Sequence, residues 1–83
     1  MLRFTDRARD ALESFHVAAA RWNPDVRLRL VRAGVELRPE LADAPEPGDE
    51  TITVGTLAVF VEPGVDGVVD AGEHNVLTIT RGD

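Results

Sequence analysis

Apolar positions along the chain repeat with two different periods, and each change of period marks a change of element. Ala8, Ala11, Leu12, Phe15, Ala18, Ala19 and Trp22 follow at spacings of three and four, which lines one face of a helix; Arg9, Asp10 and Glu13 fall outside it. Thr5 is a suitable N-cap because its hydroxyl can accept from a free first-turn amide, and Asp6 complements the positive end of the helix dipole. Pro24 disfavours helical geometry at Asn23, so the helix is expected to end between Arg21 and Asn23. On this reading Trp22 packs into the core or closes the helix end, with a partner hot spot as the lesser alternative, and His16 sits at the rim of the core.

From Val26 the period becomes two. Val26, Leu28 and Leu30 alternate with Arg27 and Arg29, and Val35, Leu37, Pro39 and Leu41 alternate with Glu36, Arg38 and Glu40, which predicts two strands. A loop of two or four residues centred on Ala33-Gly34 pairs Leu30 with Leu37 and Val26 with Leu41 and keeps the apolar residues on one face; an odd loop would set Leu30 against Glu36. Pro39 lacks an amide donor, which makes this second strand an edge or ends its regular pairing. Residues 42–48 read as a loop. Thr51 to Val54 and Leu57 to Val61 form a second hairpin around Gly55-Thr56, and Leu57 to Val61, apolar on both faces, is the expected central strand. Val65, Val68 and Val69 have helical spacing after Pro63, so a short second helix closed by Gly72 is expected, followed by a strand over Val76 to Thr80. The chain thus reads as one α+β domain over residues 1–83, a β-rich fold with an N-terminal helix packed on mixed strands and a second short helix.

Composition changes this picture mainly by exclusion. There is no cysteine, lysine or tyrosine, which removes disulfides, thiolate metal sites, cysteine nucleophiles and Schiff-base chemistry. The net charge of −6 argues against nucleic-acid binding, which depends on a positive surface that releases counterions from phosphates. The charge is unevenly spread: the arginines cluster before Pro39 and the acids after it. No run reaches the roughly 18 apolar residues of a membrane span, and Met1 to Asp6 lacks the order of a secretory signal, so a cytoplasmic protein without membrane contact is expected. The terminal Arg81-Gly82-Asp83 spells an integrin-recognition tripeptide, a coincidence in such a chain.

Few residues carry candidate chemistry. There is no phosphate-binding glycine loop and no placed Ser/His/Asp set; Ser14 and His16 are about 200° apart around the helix axis, so no catalytic residue is assigned and no enzyme is expected. Asp66, Asp70, Glu73 and His74 are donors of the kind that suit iron, manganese or zinc, the alternative being a weak hard-metal protein. Gly72 is expected to break the helix before His74, however, and acidic residues around a turn are usually just solvated, which is the favoured reading. Arg27, Arg29 and Arg38 project from the polar face of the first hairpin, with Arg29 expected opposite Arg38. Like charges so placed favour an acidic partner, which makes this face the candidate docking surface; Glu36 and Glu40 could instead neutralise it internally. A protein partner is expected, and exposed strand edges on a small core favour a homodimer.

Four stretches together resemble the HesB/IscA family of A-type iron–sulfur carrier proteins: Leu2 to Phe15 as an opening strand and helix, Val26 to Leu30, Pro47-Gly48-Asp49-Glu50 before a strand, and Val59-Phe60-Val61-Glu62-Pro63. The resemblance implies a compact β-rich domain, often oligomeric, whose relatives carry iron or a cluster on three cysteines. One of those follows the strand matching Val26 to Leu30, where this chain has Arg32-Ala33-Gly34, and two lie beyond the last strand, where it has Arg81-Gly82-Asp83. No ligand carries over, and soft anionic sulfur is not replaced by scattered carboxylates. The expectation is a cysteine-free member with no cofactor, retained as a protein-interaction or assembly module, a role within iron–sulfur biogenesis included.

Overall fold

The computed structural model describes residues 2–80; Met1 and the tripeptide Arg81-Gly82-Asp83 lie outside the described residues. The chain opens on β1 (Leu2–Phe4) and turns into α1 (Asp6–Ala20) at Thr5. Thr5 joins three elements. Its hydroxyl accepts from the Ala8 amide at 3.1 Å and donates to Asp70 at 2.7 Å, and its amide donates to the Val69 carbonyl at 3.0 Å. We therefore expect Thr5→Ala to cost about 0.5–2 kcal/mol from the cap alone. Thr5→Ser should recover most of the loss, and an unchanged urea midpoint for Thr5→Ala would show that the cap is dispensable.

The helix ends as the sequence predicts. The amides of Trp22 and Asn23 both return to the Ala19 carbonyl, and Asn23 Oδ1 accepts from the Asp25 amide, an Asx turn that reverses the chain around Pro24. Six further strands follow: β2 (Arg27–Ala33), β3 (Glu36–Ala42), β4 (Glu50–Val54), β5 (Leu57–Val61), β6 (Gly67–Ala71) and β7 (Leu77–Thr80). They form one mixed sheet in the order β1-β6-β7-β3-β2-β5-β4, with β1–β6 and β2–β5 parallel and the other pairs antiparallel. The predicted central strand, β5, is interior, between β2 and β4.

Two neighbouring strands bring their side chains to the same face wherever their residues are in register, so the pairings sort the sheet into two faces. One carries Leu28, Leu30, Leu37, Val59, Val61, Val69, Ala71, Leu77 and Ile79, all buried, and packs with Ala8, Ala11 and Leu12 of α1 into one core. No helix among the described residues is long and apolar enough to cross a membrane.

Two expectations are corrected, and of the two readings of Pro39 the edge holds. The second short helix is absent: Gly67–Ala71 is strand β6, buried at Gly67, Val69 and Ala71 and half-exposed between them. The two glycines explain it, because Gly64 and Gly67 adopt φ of +85° and +132°, outside helical geometry, while β1 supplies a strand edge that β6 can pair. The first hairpin turns on Gly34-Val35 rather than Ala33-Gly34, so Leu30 pairs with Pro39 and Leu28 with Leu41. A two-residue hairpin loop of this kind needs positive φ at its first position; Gly34 supplies +64°, and alanine there would be strained. Pro39 does not end the pairing with β2. Instead β7 pairs only with Glu36 and Leu37, so β3 is interior at its start and has a strand partner on one side only around Pro39.

Candidate docking surface

The polar face of the first hairpin differs from the expectation because of that two-residue shift. Arg29 lies opposite Glu40, and Arg38 lies opposite Val31, so the facing arginines do not occur. Arg29 is moreover not free to dock. Its Nε and Nη2 donate to the two oxygens of Asp49 at 2.8 and 3.0 Å, a bidentate pair in which the Asp49 side chain has no exposed surface and that of Arg29 is 14% exposed.

The loop that delivers Asp49 is built for the task. The Asp49 amide donates to the Glu46 carbonyl at 3.0 Å, closing a turn with Pro47 and Gly48 at its centre; Gly48 has φ of +89°, the third-position geometry that a type II turn asks of glycine. Asp49 Oδ2 accepts from the Glu46 amide at 2.9 Å, and a side chain added at Gly48 would meet Pro63 at 3.5 Å. The Pro-Glu-Pro-Gly-Asp stretch is therefore a strap from the turn to Arg29 of β2. Phe60, the register neighbour of Arg29 on β5, is only 8% exposed although it faces away from α1. The guanidinium of Arg29 holds the Asp49 carboxyl below its ordinary range, aided by the Glu46 amide and against the opposing effect of burial. Asp49 in turn raises Arg29 further above its usual value. Sequence spacing could not reveal this pair, since twenty residues separate its members. Its one readable sign was the Pro-Gly turn placed directly before an acid.

Arg27 and Arg38 remain exposed on this face, interleaved with Glu36 and Glu40, so the charges partly balance within the face itself. The carboxylate candidates do not converge. Asp66 precedes β6 and bonds the Gly67 amide, while Asp70 lies on the strand four residues on, about 13 Å away along an extended chain. Asp70 is engaged by the Thr5 hydroxyl and the Ala71 amide, which hold its carboxyl below the usual range. Glu73 and His74 belong to the short turn between β6 and β7, where His74 and Asn75 both adopt φ of +59°. Among the described residues no three His, Cys, Asp or Glu side chains could hold a metal ion. His16 is half-buried, near Thr56 and Leu57, at the rim of the core as expected.

The larger surprise is Trp22, which is 92% exposed rather than packed in the core. The apolar stripe of α1 runs on beyond the sheet that covers it: Ala8, Ala11 and Leu12 are buried, Phe15 is 37% exposed, and Trp22 is almost bare. Leu41, on the core-facing side of β3 but at its far end, is 67% exposed. Between these two side chains lies a groove of about 390 Å³, walled by Ala19, Trp22 and Asn23 on one side and Leu41, Ala42 and Asp43 on the other, with Val26 between. One end of the core is thus left open. Compared with known proteins, the chain matches no protein-family model and no curated protein.

Proposed function

We propose that this chain is a cysteine-free HesB/IscA-like domain that acts as a protein-interaction or assembly module rather than as a cluster carrier. The reading draws on the order of elements, an opening strand and helix, a hairpin, a Pro-Gly loop and a second hairpin, which is the order the resemblance implies. It draws also on the tip of the first hairpin. The Ile79 amide donates to the Val35 carbonyl at 2.9 Å, so the tip lies against the last strand. The positions where the resemblance expects thiolates are Arg32-Ala33-Gly34, beside this tip, and Arg81-Gly82-Asp83, outside the described residues, and neither holds a cysteine.

The observation that carries the interaction role is the open end of the core. A bare tryptophan beside an exposed leucine and an apolar groove has the composition of a binding hot spot, and it exposes area that a partner would cover. Arg27 and Arg38 provide a second, polar surface with both signs of charge.

Two measurements test the reading. Anaerobic reconstitution with ferrous iron and sulfide should leave the protein colourless and free of bound iron; a stable visible chromophore would overturn the loss of the cluster. Capture from the native cell should be lost with Trp22→Ser and reduced with Arg27→Ser/Arg38→Ser, and capture unaffected by both would remove the proposed surfaces.

A further inference from the structure

We infer that the free edge of β3 beside the groove takes an extended, basic peptide segment of a partner protein, added to the sheet as one more antiparallel strand. This deepens the interaction role and rests on reading the groove as a docking surface. The first argument is the main chain. The Val35 carbonyl accepts from the Ile79 amide, so the backbone polar groups of Val35, and of every second residue after it, turn away from β2. Leu37 meets Leu77 of β7 with its own, and Pro39 and Leu41 come next in the series. An amide at Pro39 would point to this edge, which is why the ladder with β2 runs on unbroken past the proline. The chain before β7 is the turn Glu73–Asn75, so β7 starts only at Leu77, and no strand among the described residues pairs Leu41 on that side. The Leu41 amide and carbonyl therefore face outward together, the template that strand addition uses.

The second argument is where such a strand sets its side chains. A segment continuing the line of β7 runs antiparallel to β3, and its residue opposite Leu41 exchanges both hydrogen bonds with it and shares its face. That face holds the groove of about 390 Å³ between Leu41 and Trp22, lined also by Ala19 and Val26, so one apolar side chain of the segment enters it. The next residue of the segment lies opposite Glu40, and the residue two places earlier lies opposite Asp43. Both acids are exposed, and neither forms an ion pair among the described residues. Basic residues at these two places make cross-strand pairs of opposite sign. A second copy of the same edge would offer Ala42 and Pro39 there, and a net charge of −6 on each copy adds repulsion.

The probe is the peptide Lys-Thr-Phe-Lys-Val, acetylated and amidated. It has no tryptophan, so the emission of Trp22, the only one in the chain, reports on the groove. Titrated to about 1 mM, within the range of weak peptide complexes, it should shift that emission to the blue and slow hydrogen exchange at the Leu41 amide. Methylating the phenylalanine nitrogen removes the donor to the Leu41 carbonyl and leaves every side chain in place; binding should weaken about tenfold or more. Glutamate in place of both lysines should weaken it comparably. By calorimetry Trp22→Ser should lose affinity too, with an unchanged circular dichroism spectrum because the site is 92% exposed. An absent emission shift, equal binding of the methylated peptide, or unchanged exchange at Leu41 overturns the strand addition. So does protection of Leu41 that grows with protein concentration alone, which assigns the edge to a second copy. Peptides that fail to bind while Trp22→Ser still abolishes capture from the cell would sink the added strand and leave the interaction role standing.

Discussion

Leu12→Ala is expected to lower the unfolding free energy by about 2–5 kcal/mol, the range for deleting a fully buried leucine and leaving a partly collapsed cavity. The expectation follows from how little of α1 is anchored. Its fully buried residues are Ala8, Ala11 and Leu12, and the two alanines fill little volume, so Leu12 is the one large side chain that the helix sinks completely. Leu12 belongs to the same core cluster as Val69, Leu77 and the other residues of the core face. A domain this small lies toward the lower end of the usual 5–15 kcal/mol, so the loss takes a large share of total stability. Urea unfolding should show a lower midpoint at similar slope, with Val17→Ala, at a 58% exposed site on the same helix, as the control expected to stay within about 0.5 kcal/mol. A loss below about 1 kcal/mol for Leu12→Ala would mean that the helix is held elsewhere.

The helix, both hairpins and the interior place of β5 were legible because each is announced by local chemistry: a cap, a period, a Gly-containing turn or a doubly apolar strand. The failures share a different cause. Helical spacing puts Val65, Val68 and Val69 on one face, whereas the strand period turns Val68 away from Val69; over so short a stretch the pattern does not choose, and the backbone freedom of Gly64 and Gly67, with the free edge of β1, decided for a strand. The hairpin register shifted by two, which preserves every side chain's face, so the hydrophobic pattern was blind to it; only the demand of the turn for glycine at its first position could discriminate. That small slip moved Arg38 away from Arg29 and put Glu40 there instead. Helical periodicity assigned Trp22 to the core-facing stripe but carries no information on how far the sheet extends beneath it. The face was read correctly and the burial was not.

The Arg29–Asp49 pair should dominate the acid limb of stability. In the folded chain the Asp49 carboxyl lies below 3.8, chiefly through its hydrogen bonds from Arg29. A carboxyl lowered on folding contributes stability that is fully present above its unfolded value and is lost as pH falls through 3.8 toward the folded value. Asp70, lowered by the Thr5 hydroxyl, acts in the same direction and over the same window. Wild-type stability should therefore be flat from neutral pH down to about 5 and then fall. Asp49→Asn should be less stable at pH 7, because it leaves Arg29 only the longer contact to Glu46 at 3.7 Å and loosens the Pro-Gly strap, and its acid limb should be shallower, so that the two curves converge as wild-type Asp49 becomes protonated. Arg29→Ala acts on the other side of the balance. It leaves a carboxyl with no exposed surface facing burial with only the Glu46 amide in support, which raises the Asp49 carboxyl relative to wild type. Stability in that variant should recover, relative to wild type, as pH falls. Urea midpoints of the three proteins measured from neutral to strongly acidic pH give the comparison; parallel curves would show that the pair does not couple folding to protonation.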